Sequence, residues 1–221
     1  MNQVSNQAIE ERPVHIKTNS VDLEGNLNLP EHPIGIVIFV HGSGSSRHSS
    51  RNRYVASVLN QAGFCTLLFD LLTSDEETED MQTGHLRFNI PFLAERLNDA
   101  THWLTDNLDT SILNIGYFGA STGAGAALVS ASQHPEQVKA VVSRGGRPDM
   151  AHSALPYVNA PTLLIVGARD TLVIDMNRKA LDQLRVEKDL EIIPNATHLF
   201  PEPGALEEVA KLAQGWFKRH L

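Results

Sequence analysis

The chain alternates short apolar runs with amphipathic ones, and the period of each run predicts its element. Residues 14–18 and 21–29 alternate apolar and polar positions, with Glu24-Gly25-Asn26 inside the second run. They predict an antiparallel opening to a sheet. Residues 34–40 are continuously apolar and β-branched, as a strand buried on both faces requires. Residues 53–62 place Val55, Val58, Leu59 and Ala62 on one helical face, and Gly63 ends the run. Residues 64–69 predict a second buried strand. Residues 71–84 break the rhythm: Asp75, Glu76, Glu77, Glu79 and Asp80 cluster there without an apolar stripe, so a surface loop or lid is expected. Residues 91–108 then carry Leu93, Leu97, Ala100, Leu104 and Leu108 at helical spacing. Beyond them come a strand at 112–118, a small-residue helix at 121–134, strands at 138–143 and 162–167, a helix at 173–184 and a strand at 190–193. A last helix at 205–220 turns Leu206, Val209, Ala213 and Trp216 inward.

Strands alternating with helices place the chain in the α/β class, with a mostly parallel sheet covered on both faces. In such sheets ligands sit beyond the carboxyl ends of the strands. Chemistry is therefore expected immediately after strands. The 221 residues match the size of one such domain. Residues 1–12 are polar and read as a lead-in, with one α/β domain over 13–221.

Chemistry-bearing residues do fall at those places. The strand ending at Phe118 runs into Gly119-Ala120-Ser121-Thr122-Gly123 and then into a helix, which is G-x-S-x-G in a strand–turn–helix setting. The turn is so tight that side chains flanking the serine would collide, hence the glycines. Ser121 Oγ is then presented at a helix N-terminus, where backbone N–H groups stabilise a developing oxyanion. A serine nucleophile needs a base, and the base needs an orienting acid. After such an elbow the chain order is acid, then histidine. Asp170 follows the 162–167 strand and His198 follows the 190–193 strand, on the same sheet edge as Ser121. Asp175 is a rival acid one turn later. His134, His152 and His220 lie at a helix end, before a strand and at the terminus.

Two backbone donors are expected to hold the oxyanion. One is the N–H of Thr122, next to the nucleophile. The other lies in His41-Gly42-Ser43-Gly44-Ser45-Ser46, after the first buried parallel strand, with Ser43 the expected donor and Gly42 the next choice. A phosphate-binding P-loop is a poor fit, since no Gly-Lys-Ser/Thr follows.

These residues resemble the α/β-hydrolase superfamily and, within it, the dienelactone-hydrolase-like branch. The resemblance runs from about Val14 to Leu221. It is carried by His41-Gly42-Ser43-Gly44-Ser45, Phe118-Gly119-Ala120-Ser121-Thr122-Gly123, Gly167-Ala168-Arg169-Asp170 and Ala196-Thr197-His198-Leu199-Phe200. It implies an α/β-hydrolase fold with eight strands, a Ser121–His198–Asp170 triad and no cofactor. Dienelactone hydrolases use a cysteine at the elbow, where this chain has serine, so a broader carboxylesterase is expected. The chain also resembles hydrolase modules fused to phosphoribosyltransferase domains, and no such second domain is expected within these 221 residues.

Composition narrows the partners. Net charge is −8 with a pI near 5.6, which excludes a global attraction to nucleic acid or an anionic membrane. No run reaches the roughly 20 apolar residues that span a bilayer, and the polar start lacks a signal peptide, so a cytoplasmic protein is expected. A lone cysteine, Cys65, rules out an intrachain disulfide and reads as a core thiol. The histidines lack metal-ligand spacing, so no metal is expected. Within this acidic chain, arginines gather near the catalytic edge: Arg51 beyond the Gly/Ser loop, Arg144 after the 138–143 strand, and Arg87 beside His85 at the acidic segment. Arg144, Arg51 and His85 are therefore candidate substrate contacts for a carboxylate or phosphate. The alternative is structural pairing of the arginines with Asp70, Asp149 or the acidic segment.

The expected activity is hydrolysis of carboxylic esters with small or short acyl groups, through an acyl-enzyme. The chain is too short for a large cap domain, which suits an open pocket. Lactone or thioester hydrolysis, or acyl transfer, would use the same residues. A different class is a receptor that binds a small ligand on this scaffold without turnover.

Overall fold

A computed structural model describes residues 9–221. Among the described residues, eight strands form one sheet in the order β1-β2-β4-β3-β5-β6-β7-β8. β1 (Ile9–Lys17), β2 (Asp22–Pro30) and β4 (Cys65–Phe69) pair antiparallel at one edge. β4, β3 (Ile36–Val40), β5 (Ile115–Ala120), β6 (Val138–Arg144), β7 (Thr162–Gly167) and β8 (Lys188–Ile193) run parallel. This is the α/β-hydrolase arrangement, without a large cap among the described residues.

The continuous apolar runs form the central strands because both of their faces are covered. β3, β4 and β5 are buried at every position. On one face pack α1 (Ser50–Gln61) and α6 (Ala205–His220), over Val37, Phe39, Phe118 and Val142. On the other lie α3 (Ile90–Asp106) and α4 (Thr122–Gln133), over Ile38, Val40, Tyr117 and Val141. α5 (Thr171–Gln183) covers β7 and β8 through Val173 and Ile174.

Strand order reverses between β3 and β5, because β3 leads to β4 on one side while β5 leads to β6 on the other. Their following loops diverge and leave a crevice at the strand ends, the site such sheets use for ligands. Val40 is paired with Gly119 at that point.

Four local expectations change. Residues 1–8 lie outside the described residues, but the rest of the expected lead-in, 9–12, belongs to β1, paired with β2 from Ile9↔Pro30 onward. The acidic segment is not a loop: Ser74–Thr83 is a helix, α2. It lacks an apolar stripe because only Asp80 is buried. A capping box at Thr73 and Glu76, acidic residues in the first turn and a left-handed Gly84 at the C-cap hold it instead. Third, α3 stops at Asp106, so Leu108 is exposed rather than part of its core stripe. Fourth, a 3-10 segment at Pro148–Tyr157, which no apolar period announces, links β6 to β7.

Candidate active site

Ser121 sits between β5 and α4 with φ 50 and ψ −123. A non-glycine residue holds such a backbone only when its surroundings over-determine it. Here the Ser121 N–H donates to the Arg144 carbonyl at 3.3 Å, and the Arg147 N–H donates to the Ser121 carbonyl at 2.9 Å. The flanking glycines are steric necessities. A Cβ on Gly119 would come to 2.5 Å of the Ala124 Cα, and one on Gly123 to 2.2 Å of the Val40 carbonyl oxygen. Ser121 makes no side-chain cap for α4, so the alternative role of helix cap is not the one it fills.

Asp170 and His198 are brought together from separate loops. His198 Nδ1 and Asp170 Oδ2 are 2.6 Å apart. Asp170 occupies the N-cap position of α5, yet its side chain caps nothing there and goes to the imidazole. The rival Asp175 is exposed and faces Arg178 at 3.5 Å. The His198 loop is clamped by Glu202, whose carboxylate accepts the Thr197 N–H at 3.1 Å and the Thr197 hydroxyl at 2.7 Å. The carbonyl of His198 would lie 2.9 Å from a Cβ on Gly145, which places its loop over the end of β6. No hydrogen bond joins Ser121 to His198 in this structure; such contacts commonly tighten only with substrate bound.

The Gly/Ser loop after β3 lies against the elbow: a Cβ on Gly42 would meet Ser121 Cβ at 2.9 Å. The loop is braced by His41, which is buried. Its Nε2 accepts the Leu71 N–H at 3.1 Å, which leaves Nδ1 to donate to the Gly42 carbonyl at 3.0 Å. Burial foremost lowers the His41 pKa, against the Gly42 carbonyl, Asp70 and Glu77, which raise it. Of the two expected oxyanion donors, the Thr122 N–H has no acceptor among the described residues, as befits the first turn of a helix. The Ser43 N–H instead donates to the Thr122 hydroxyl at 2.9 Å.

Beside this loop opens a cavity of about 250 Å³. Gly42 and Ser43 border it, Leu71, Leu72 and Leu93 give it apolar walls, and Met81 and Glu77 of α2 close its outer side. Asp80 anchors that helix. Burial opposes its charge, but Arg87 and the N–H groups of Leu86 and Arg87 outweigh this and hold its carboxyl below the usual range.

The candidate substrate contacts separate. Arg144 and Arg51 lie together by the start of α1, whereas His85 is exposed beyond α2 and bonds Thr83 at 2.6 Å. Arg47, not Arg144 or Arg51, pairs with Asp70, and Arg147 pairs with Asp149. Arg144 is buried, and the one hydrogen bond of its guanidinium among the described residues goes from Nη2 to Asn52 Oδ1 at 3.3 Å. Its Nε and Nη1, and Arg51 Nε, have no acceptor among the described residues. Burial and then the Arg51 charge push the Arg144 pKa down to about 10. Cys65 is fully buried within β4 and its thiol is pushed up to about 12 by burial, so it is not a nucleophile at neutral pH.

The model of the dienelactone hydrolase family matches residues 23–220. The chain belongs to the dienelactone hydrolase family. Among solved structures, a dienelactone hydrolase from Anabaena variabilis is 62% identical with a TM-score of 0.95, over 96% of this chain and 99% of that one. Est1E from Butyrivibrio proteoclasticus shares the fold at 15% identity and TM-score 0.78, over 94% of this chain and 98% of its own. Two proteins from strains of Mycobacterium tuberculosis, each named "Putative phosphoribosyl transferase", are 55% identical over 213 residues, 96% of this chain and 47% of theirs. The chain thus spans about half the length of the curated relatives it matches. Within this family of hydrolases, the sequence pattern located the elbow and the Asp170 and His198 loops. It did not reveal Glu202, Asn52 or the bracing imidazole of His41, whose partners are 5 to 92 residues away. His41 had a signal, as the residue opening the Gly/Ser loop; Asn52 had none.

Proposed function

We propose that this family member is a serine-dependent hydrolase of carboxylic esters with short acyl groups. The observation that carries the reading is the Ser121 elbow, held at φ 50 on the sheet edge that also holds the Asp170–His198 pair. Asp170 accepts the Nδ1 hydrogen of His198, which leaves Nε2 as the free base. Ser121 Oγ attacks the acyl carbon, and its proton passes to Nε2. The oxyanion is held where the first turn of α4 meets the loop at Ser43. Collapse expels the alcohol, which takes the proton back from His198. A water, deprotonated by the same Nε2, then releases the acid and Ser121. The cavity of about 250 Å³ beside Ser43 suits a short acyl chain. The unpaired guanidinium of Arg144 supports an anionic group on the substrate or its acid product.

The test is turnover of p-nitrophenyl acetate and butyrate by the wild type and Ser121→Ala, with fluorophosphonate labelling mapped by mass spectrometry. Expected are labelling at Ser121 and a loss of about 10⁴-fold or more in kcat for the variant. Equal turnover by both proteins, or no labelling, would favour the ligand-binding reading. The family match and the Anabaena relative favour lactones as a second substrate class. A dienelactone assayed beside the p-nitrophenyl esters decides between them by kcat/KM.

A further inference from the structure

The bond between Ser43 and Thr122 changes how the oxyanion hole is built. An N–H carries one hydrogen, and that of Ser43 is directed to Thr122 Oγ1 at 2.9 Å. It is thereby committed before any substrate arrives. The acceptor is a hydroxyl, which has a hydrogen of its own to give. Among the described residues nothing accepts that hydrogen, although Thr122 is only 4% exposed. The Thr122 backbone N–H is likewise without an acceptor. Both groups belong to the residue that follows the nucleophile. Both lie where the loop at Gly42 comes against Ser121.

We propose that the Thr122 hydroxyl is a direct donor to the oxyanion, so that Thr122 supplies both donors of the hole and Ser43 acts through it. The Ser43 N–H, donating to Oγ1, fixes the threonine rotamer. It also polarises the O–H, because hydrogen bonds in a chain strengthen one another. As the carbonyl oxygen of the ester gains charge, it accepts from the Thr122 N–H and from the Thr122 O–H. No proton is transferred in this contact, and the hydroxyl returns unchanged when the tetrahedral intermediate collapses. Thr122 is on this account a catalytic residue, and Ser43 a positioning one. The inference rests on the ester-hydrolase reading above.

The test compares wild type, Thr122→Val and Thr122→Ser with p-nitrophenyl butyrate as substrate and butylboronic acid as the tetrahedral analogue. Valine keeps the shape and removes the hydroxyl; serine keeps the hydroxyl. Thr122→Val is expected to lower kcat about 10²-fold, the usual effect of losing one oxyanion donor. KM should stay within about threefold and boronate affinity should weaken in parallel with kcat, as for an interaction made only in the transition state. Thr122→Ser should recover kcat to within about fivefold of wild type. A Thr122→Val enzyme with wild-type kcat and boronate affinity overturns the proposal. So does a Thr122→Ser enzyme as impaired as the valine variant, since packing rather than the hydroxyl would then matter. A faster valine variant also overturns it, because the hydroxyl would have been blocking the hole. If Thr122→Val does not fold, Thr122→Ala is read by the same criteria. Turnover retained in Ser121→Ala is a failure of the serine-hydrolase reading itself. An inactive Ser121→Ala beside a fully active Thr122→Val is a failure of this inference alone.

Discussion

At the scale of single residues, orientation separates two carboxylates that the sequence offers side by side. Asp170 and Asp175 lie five residues apart, but only Asp170 reaches an imidazole, at 2.6 Å. Asp170→Asn keeps the shape and leaves an amide that stabilises the wrong imidazole tautomer. It is expected to lower kcat by about 10³–10⁴-fold, while Asp175→Asn leaves it near wild type. Steady-state kinetics with p-nitrophenyl butyrate on both variants checks this. Arg144 presents the opposite situation: a buried cation with two nitrogens lacking acceptors and a second arginine nearby. Breaking a paired charge destabilises, but replacing an uncompensated one by an apolar chain removes a desolvation cost. Arg144→Met is therefore expected to raise the unfolding free energy by about 1–4 kcal/mol. It should also lower kcat/KM for an anionic ester relative to a neutral one. Urea unfolding and paired ester assays measure the two effects, and a lowered stability would show that the charge is compensated.

At the scale of elements, α2 shows how a segment without a hydrophobic face is held. Its start is tied by the capping box and by Glu76, which pairs with the buried Arg96 of α3 at 2.7 Å. Its end is tied by Asp80 and Arg87 at 2.5 Å. These contacts sit at the two termini, and between them the helix walls the cavity. Thr73→Ala removes one cap, with an expected loss of about 1 kcal/mol. Because α2 borders the cavity proposed for the acyl chain, KM for p-nitrophenyl butyrate should rise more than kcat falls. Thermal unfolding and the KM–kcat split test this, and an unchanged KM would mean that α2 does not shape the pocket.

At the scale of the whole molecule, packing brings the buried His41 and the half-buried His134 and His220 into the stability balance. Burial is the leading cause that lowers the pKa of His41, His134 and His220 from 6.5. A depressed histidine binds fewer protons folded than unfolded, so its contribution is complete above the unfolded pKa. It is lost as the pH falls through 6.5 toward the lower folded values. The urea midpoint is thus expected to fall between about pH 7.5 and pH 5.5. His41→Gln should shrink that fall, since protonation of His41 also deprives the Leu71 N–H of its acceptor. A midpoint that rises on acidification would reverse the assignment.

Much of this organisation was legible along the chain. The continuous apolar runs became the two-sided strands, because a strand covered on both faces has no polar side to show. The glycines of the elbow were legible because the backbone around Ser121 leaves no room for a Cβ. Asp170 and His198 were legible because each follows a strand, and parallel strands deliver their ends to one edge. α2 was not, because helix periodicity reports a buried face and this helix has none. Long-range partners were hidden for a different reason. Ser43 and Thr122 are 79 residues apart, and Arg144 and Asn52 are 92 apart. Local pattern dictates the elements and where their reactive ends fall, since both follow from near-neighbour sterics and burial. Which donor meets which acceptor depends on how the strand order reverses between β3 and β5, and only the folded sheet sets the two loops side by side.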